Sequence, residues 1–176
     1  MTVTIRIATV ADLPAIEPLM ARAIARLQTP WLDPAQVAAS ATMMGLDTQL
    51  VDDGTYLIAE IEGVAAASGG WSKRATSYGG DHSPGRSARL LDPATEPTRI
   101  RAMYTDPAFV RRGIGRQMLA ACEDGARAAG FGAATLVATM AGLPLYTACG
   151  YSEVGRFEDA NGAVAVPLVH MHKSLK

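Results

Sequence analysis

Two arginines, Arg111 and Arg112, stand directly before Gly113-Ile114-Gly115, and an apolar stretch, RQMLAACEDGARAAG, follows at once. The spacing predicts a helix over Gly115 to Ala129 that opens at this glycine turn. The first N–H groups of a helix have no partner within it, and that end carries the positive pole of the macrodipole. Glycine lets the backbone come close to a ligand, and the arginines add charge. These residue types in this order point to a pocket for a phosphorylated ligand; a helix that merely starts at a glycine turn is the plainer alternative. Two other phosphate fingerprints do not fit. No third glycine completes a dinucleotide-binding loop, and no Gly-Lys-Ser/Thr completes a Walker loop.

The rest of the chain must position this turn. Thr2 to Ala8 alternates and reads as a strand. Thr9 to Leu27 is expected to be a helix capped by Asp12, with an apolar stripe that includes Leu13, Ile16, Leu19, Met20, Ile24 and Leu27. Asp33-Pro34 opens a second helix that runs to about Met44. Thr55 to Glu62 and Val64 to Lys73 form a hairpin turning at Glu62-Gly63. Arg74 to Thr98 is rich in Gly, Ser, Pro and charge and is long for a connection in a compact domain, so it is expected to be only partly ordered. Arg99 to Thr105 and Ala133 to Met140 read as strands, the second buried. Leu143 to Cys149 is a short helix ended by Gly150, and Glu153 to Phe157 pairs with Ala163 to Lys173 around Asn161-Gly162.

A chain of 176 residues suits one domain, 1–176. Its 16 basic and 17 acidic residues create no net field for nucleic acid or a membrane surface. Cys122 and Cys149 sit in apolar contexts without metal-ligand spacing and read as small core residues. The start, MTVTIRIATV, lacks the pattern of a signal peptide, and no run reaches transmembrane length, so a cytoplasmic protein is expected.

Taken in this order, β-α-α-β-β-β-α-β-α-β-β, three local sequences resemble the GNAT superfamily of N-acetyltransferases. They are MYTDP before the turn, RRGIGRQML at the turn, and LYTACGY on the short later helix. The resemblance runs over nearly the whole chain. It implies an α/β (α+β) fold with a mixed, mostly antiparallel central sheet, helices on both faces, and fourth and fifth strands that are parallel and splayed. It implies a single acyl-CoA N-acyltransferase domain with a long loop at about 74–98, acetyl-CoA as co-substrate and no metal. Two positions depart from the family pattern. Val110 stands where Gln or Arg often opens the loop, and Thr139 and Met140 stand where the fifth strand often ends in Asn.

The resemblance also distributes roles. Main-chain N–H groups from Arg112 through Gly113, Ile114 and Gly115 to Arg116 would face the pyrophosphate, with Arg111, Arg112 and Arg116 as side-chain partners. Main-chain groups of Met103 and Thr105 would meet the pantetheine arm and the thioester oxygen. Tyr146 falls at the common general-acid position, and a phenol with a pKa of about 10 can protonate a thiolate of similar basicity; a packing tyrosine is the alternative. For the acceptor, Trp71, Tyr78 and Tyr104 are aromatic candidates for a cationic amine site, with core packing an equal alternative. The residues offer no clear base for the amine; His82, Asp81, Tyr104 and water through a relay are the candidates. Glu60, Glu62 and Asp81 would supply charge for a polyamine, although they form no cluster in sequence. Asp106, before Pro107, reads as a turn former. His170 and His172 share a strand face without a third metal ligand. Gly69 and Gly70 suggest room for an acyl group longer than acetyl. The function implied is transfer of an acetyl group from acetyl-CoA to a primary amine of a small molecule in a ternary complex. A catalytically weak acyl-CoA sensor and a protein lysine or N-terminal acetyltransferase are the alternatives, and the final strands offer a homodimer surface.

Overall fold

The computed structural model describes residues 2–176. Twelve elements follow one another: β1 (Val3–Ile7), α1 (Leu13–Leu27), α2 (Pro34–Met43), α3 (Thr48–Asp52), β2 (Tyr56–Ile61), β3 (Val64–Ser72), β4 (Thr98–Thr105), α4 (Ile114–Ala128), β5 (Ala133–Thr139), α5 (Leu143–Ala148), β6 (Ser152–Asp159) and β7 (Val166–Ser174). The seven strands form one sheet in the order β1-β2-β3-β4-β5-β7-β6, antiparallel except for β4 and β5. This is the mixed, mostly antiparallel architecture expected. No helix among the described residues is long and apolar enough to cross a membrane.

Each face of the sheet buries its own apolar cluster. On one, α4 lays Ile114, Met118, Leu119, Cys122 and Ala126 against Ala59, Ala67, Ile100 and Leu136. On the other, Ile16, Leu19, Met20, Ala23 and Ile24 of α1 cover Tyr56, Ile58 and Tyr104. The helical spacing of both sets is what lets one stripe meet a flat sheet. Asp33 caps α2 by accepting the Gln36 N–H at 2.8 Å, as its place before Pro34 suggests. Asp12 behaves differently from expectation. A 3-10 turn, Val10–Asp12, precedes α1, and the Asp12 carboxylate turns back to accept the Thr9 N–H and the Arg6 guanidinium.

Two features open the sheet. β4 and β5 pair only at Thr98↔Ala134 and Arg99↔Thr135, so they diverge beyond that point. At the same level β4 carries an extra residue against β3: Ser68 pairs with Tyr104 but Gly70 with Arg101. Ala102 sits in this bulge at φ 53, a conformation that costs a non-glycine residue about 1–3 kcal/mol.

The 74–98 segment is held more firmly than its composition suggests. Arg74 forks onto Asp53 and Arg89 onto Glu96, Arg86 bonds Asp47 and the Gly80 carbonyl, while Ser83 donates to the Met43 carbonyl and Tyr78 to Asp159. Its charged residues are the clamps.

Candidate active site

A cleft of about 760 Å³ runs from the glycine turn to the gap between β4 and β5. Its walls are the end of α1 with Leu27, Gln28 and Trp31; the β4 residues Met103, Tyr104 and Thr105; the turn residues Val110, Arg111 and Gly113 to Arg116; and Thr139 at the end of β5 with Gly142, Leu145 and Tyr146 after it. The turn forms because two residues accept the left-handed region, Arg111 at φ 64 and Gly113 at φ 77. Gly113 is the N-cap of α4 and brings no side chain to it. The first helical bond runs from the Gln117 N–H to the Gly113 carbonyl. Ile114, Gly115 and Arg116 therefore turn unpaired N–H groups toward the cleft mouth, where the helix pole also lies. Arg112 stacks over Phe109, its guanidinium carbon 5.4 Å from the ring centre. Arg111, Arg112 and Arg116 are all exposed.

Past the bulge, the Asp106 N–H bonds the Ala66 carbonyl. Strand alternation then points the main chain of Tyr104 toward β3 and that of Met103 and Thr105 away from it, into the gap that β5 has left. Backbone donors facing an open gap are suited to a carbonyl oxygen that gains charge. Asp106 itself accepts from Ala108 N–H and from Arg22, the turn-forming role its position before Pro107 suggests.

Tyr146 enters from α5, on the far side of the gap. Gly142 begins that helix beside it: a Cβ there would stand 2.9 Å from the Tyr146 ring. The Thr139 hydroxyl accepts the Gly142 N–H at 3.2 Å and so helps to start α5. Tyr146 meets Tyr151 edge to face, and its hydroxyl makes no hydrogen bond among the described residues. Burial pushes this phenol well above its ordinary value, so it is protonated throughout the neutral range.

The structure separates the acceptor candidates. Tyr104 lines the cleft, with burial pushing its phenol up to about 12 while a Gly45 backbone N–H partly offsets this. Tyr78 lines a small neighbouring cavity and donates to Asp159 at 2.8 Å. Trp71 does not reach the cleft. Its indole packs on Gly125 of α4 and edge-on to Phe131, on the opposite face of the sheet. Trp71→Phe should therefore cost about 1–2 kcal/mol of stability in a denaturant titration and leave the KM for any acceptor unchanged. His82 also lies outside, its ring nitrogen on the Thr42 carbonyl. Asp81 accepts from Thr48, Glu60 pairs with Arg6, and Glu62 sits in the β2–β3 turn, so no acidic group lines the cleft. His170 stacks on Phe157. The space beside Gly69 is filled by the Met103 sulfur, and that beside Gly70 by Leu50 and the Thr55 carbonyl, so neither glycine makes room for a longer acyl group.

Trp31, Gln28 and Arg101 were not singled out by residue type. Trp31 is half exposed on the cleft wall, Gln28 is buried there with its side-chain oxygen unpartnered, and Arg101 is buried beside the gap.

The sequence model of the acetyltransferase (GNAT) family matches residues 20–151, a span that contains the bulge, the glycine turn and Tyr146. The chain belongs to the GNAT family of acetyltransferases. The fold of this GNAT protein recurs in solved structures. A GCN5-related N-acetyltransferase from Rhodopseudomonas palustris is 20% identical with a TM-score of 0.73, over 99% of this chain and 96% of that one. YncA from Salmonella typhimurium, solved with its cofactor acetyl-CoA, is 21% identical at TM-score 0.65, over 100% and 95%. The PaiA N-acetyltransferase of Thermoplasma acidophilum, in complex with coenzyme A, is 11% identical at TM-score 0.66, over 99% of both chains. No curated protein sequence matches this GNAT chain.

Proposed function

We propose that this protein is an N-acetyltransferase that moves an acetyl group from acetyl-CoA to the primary amine of a small molecule by direct attack in a ternary complex, residues 1–176 acting as one acyltransferase domain. The observation that carries the reading is a single cleft with unpaired helix N–H groups and arginines at one end and a protonated, buried tyrosine at the other. Acetyl-CoA would supply an activated acetyl thioester. The N–H groups of Gly113 to Arg116, with Arg111, Arg112 and Arg116, would hold its pyrophosphate. Main-chain N–H groups at Met103 and Thr105 would steady the thioester oxygen as it becomes negative. The Tyr146 hydroxyl would give its proton to the departing sulfur.

Among the described residues, the cleft wall carries arginines but no carboxylate, lysine or imidazole. The amine accordingly enters neutral, gives up its extra proton to water as it attacks, and the phenolate left at Tyr146 regains a proton from water. Tyr104, with a raised pKa, is too weakly ionised near pH 7 to serve as a base.

Acetyl-CoA is incubated with a panel of primary amines, and free thiol and acetylated product are measured together. The expected result is equal amounts of each. Thiol without acetylated amine would mean hydrolysis and would contradict the transfer.

A further inference from the structure

Beside the cleft, between β4 and β5, lies a smaller cavity of about 70 Å³. It shares Met44, Met103, Tyr104 and Tyr146 with the cleft and adds Ser77, Tyr78, Gly79, Val137 and Arg101. That volume exceeds the roughly 10–15 Å³ that one water needs, so a small polar group fits without moving a side chain.

Arg101 is the unusual wall. Its side chain is 2% exposed and pairs with Asp47, which is wholly buried. A second guanidinium, that of Arg86, lies 2.9 Å from the other oxygen of the same carboxylate. Two buried or half-buried cations thus share one buried anion. Asp81, 3.8 Å from Arg86 and exposed, completes the charge balance only at the surface. Arg101 also donates to the Gly79 carbonyl, but its Nε–H has no acceptor among the described residues. A buried guanidinium with an unmet donor is costly unless an anion or another acceptor meets it. Among the described residues, no acidic side chain lines either the cavity or the cleft.

Resting on the acetyltransferase reading above, we infer that the acceptor is an amine that also carries a carboxylate, and that Arg101 receives this carboxylate in the cavity between β4 and β5. A cationic polyamine finds no counter-charge here. An amino acid does: Arg101 takes its carboxylate while its amine lies at the Tyr146 end of the same space. Arg101 is then a specificity-determining residue, held in place by Asp47 and the Gly79 carbonyl.

The test is a paired panel. Wild-type protein with acetyl-CoA is given α-amino acids and longer ω-amino acids, each beside its carboxamide and its decarboxylated amine, and thiol release is followed. The expected result is that kcat/KM for at least one amino acid exceeds that of both its partners by about 10- to 100-fold. Equal or better rates for the partners across the panel would overturn this inference and leave the acetyltransferase reading intact. No thiol release from any member, with acetyl-CoA bound, would overturn both. Arg101→Lys keeps a cation for Asp47 and removes the planar fork. It should erase the preference by lowering kcat/KM for the acid alone; an equal fall for acid and amine would show that Arg101 only supports the fold.

Discussion

Replacing Tyr146 by Phe should lower the maximum rate of acetyl transfer by about 100-fold, the lower end of what a positioned proton donor contributes. The loss should fall on kcat, because the ring that packs against Tyr151 and Gly142 remains. Stability and affinity for acetyl-CoA should therefore change little. The pH profile adds a second signature. An acid must be protonated to act, and burial raises this phenol above its ordinary value of about 10. In the wild type, kcat should consequently show no descending limb below about pH 10. An unchanged kcat in Tyr146→Phe would reduce the residue to a packing group.

Gly113→Glu should weaken acetyl-CoA binding by more than about 100-fold. Two effects add. At φ 77 a side chain strains the backbone by about 1–2 kcal/mol. A carboxylate at the pole of α4 would also repel a pyrophosphate where the N–H groups of Ile114, Gly115 and Arg116 are offered. Nothing lies within 4 Å of a Cβ at this position, so the fold should survive, with only that strain appearing in a denaturant titration. Gly113→Ala separates the two effects and should cost less than about 10-fold in affinity. Equal losses in the two variants would point to the backbone alone. Undiminished binding in Gly113→Glu would place the cofactor elsewhere.

The glycine turn and the short helix that carries Tyr146 were legible because their signals are local. Gly-Ile-Gly before an amphipathic stretch specifies a helix start whatever surrounds it, and the element boundaries fell within a few residues for most strands and helices. Longer-range features were not legible. The bulge depends on the pairing of β4 with β3, and Ala102 is a residue type that announces no left-handed turn. That one extra residue also inverts the alternation of β4. Ile100 packs on the α4 face, but Ala102 and Tyr104, which share its parity, pack on the α1 face, and Met103 takes the α4 side. Trp71, opposite Ile100, stays with α4, whereas Tyr104 reaches the cleft. Residue type alone could not separate the two aromatics. The short helix α3 was likewise unannounced, since five residues carry too little periodicity. Nothing in RIRAMYT marks Arg101, and only the fold brings Asp47 to it from a distant segment. The loop 74–98 was expected to be only partly ordered from its composition and length, neither of which shows that Arg74 and Arg86 pair with Asp53 and Asp47.

The central claim is that acetyl-CoA occupies the cleft that begins at Gly113. Calorimetric titration of the wild-type protein with acetyl-CoA, with ATP and NAD as controls, tests it most directly. Saturable binding of one acetyl-CoA per chain, with no comparable heat from ATP or NAD, is the predicted result. Absence of binding by acetyl-CoA, or equal binding by all three, would contradict it.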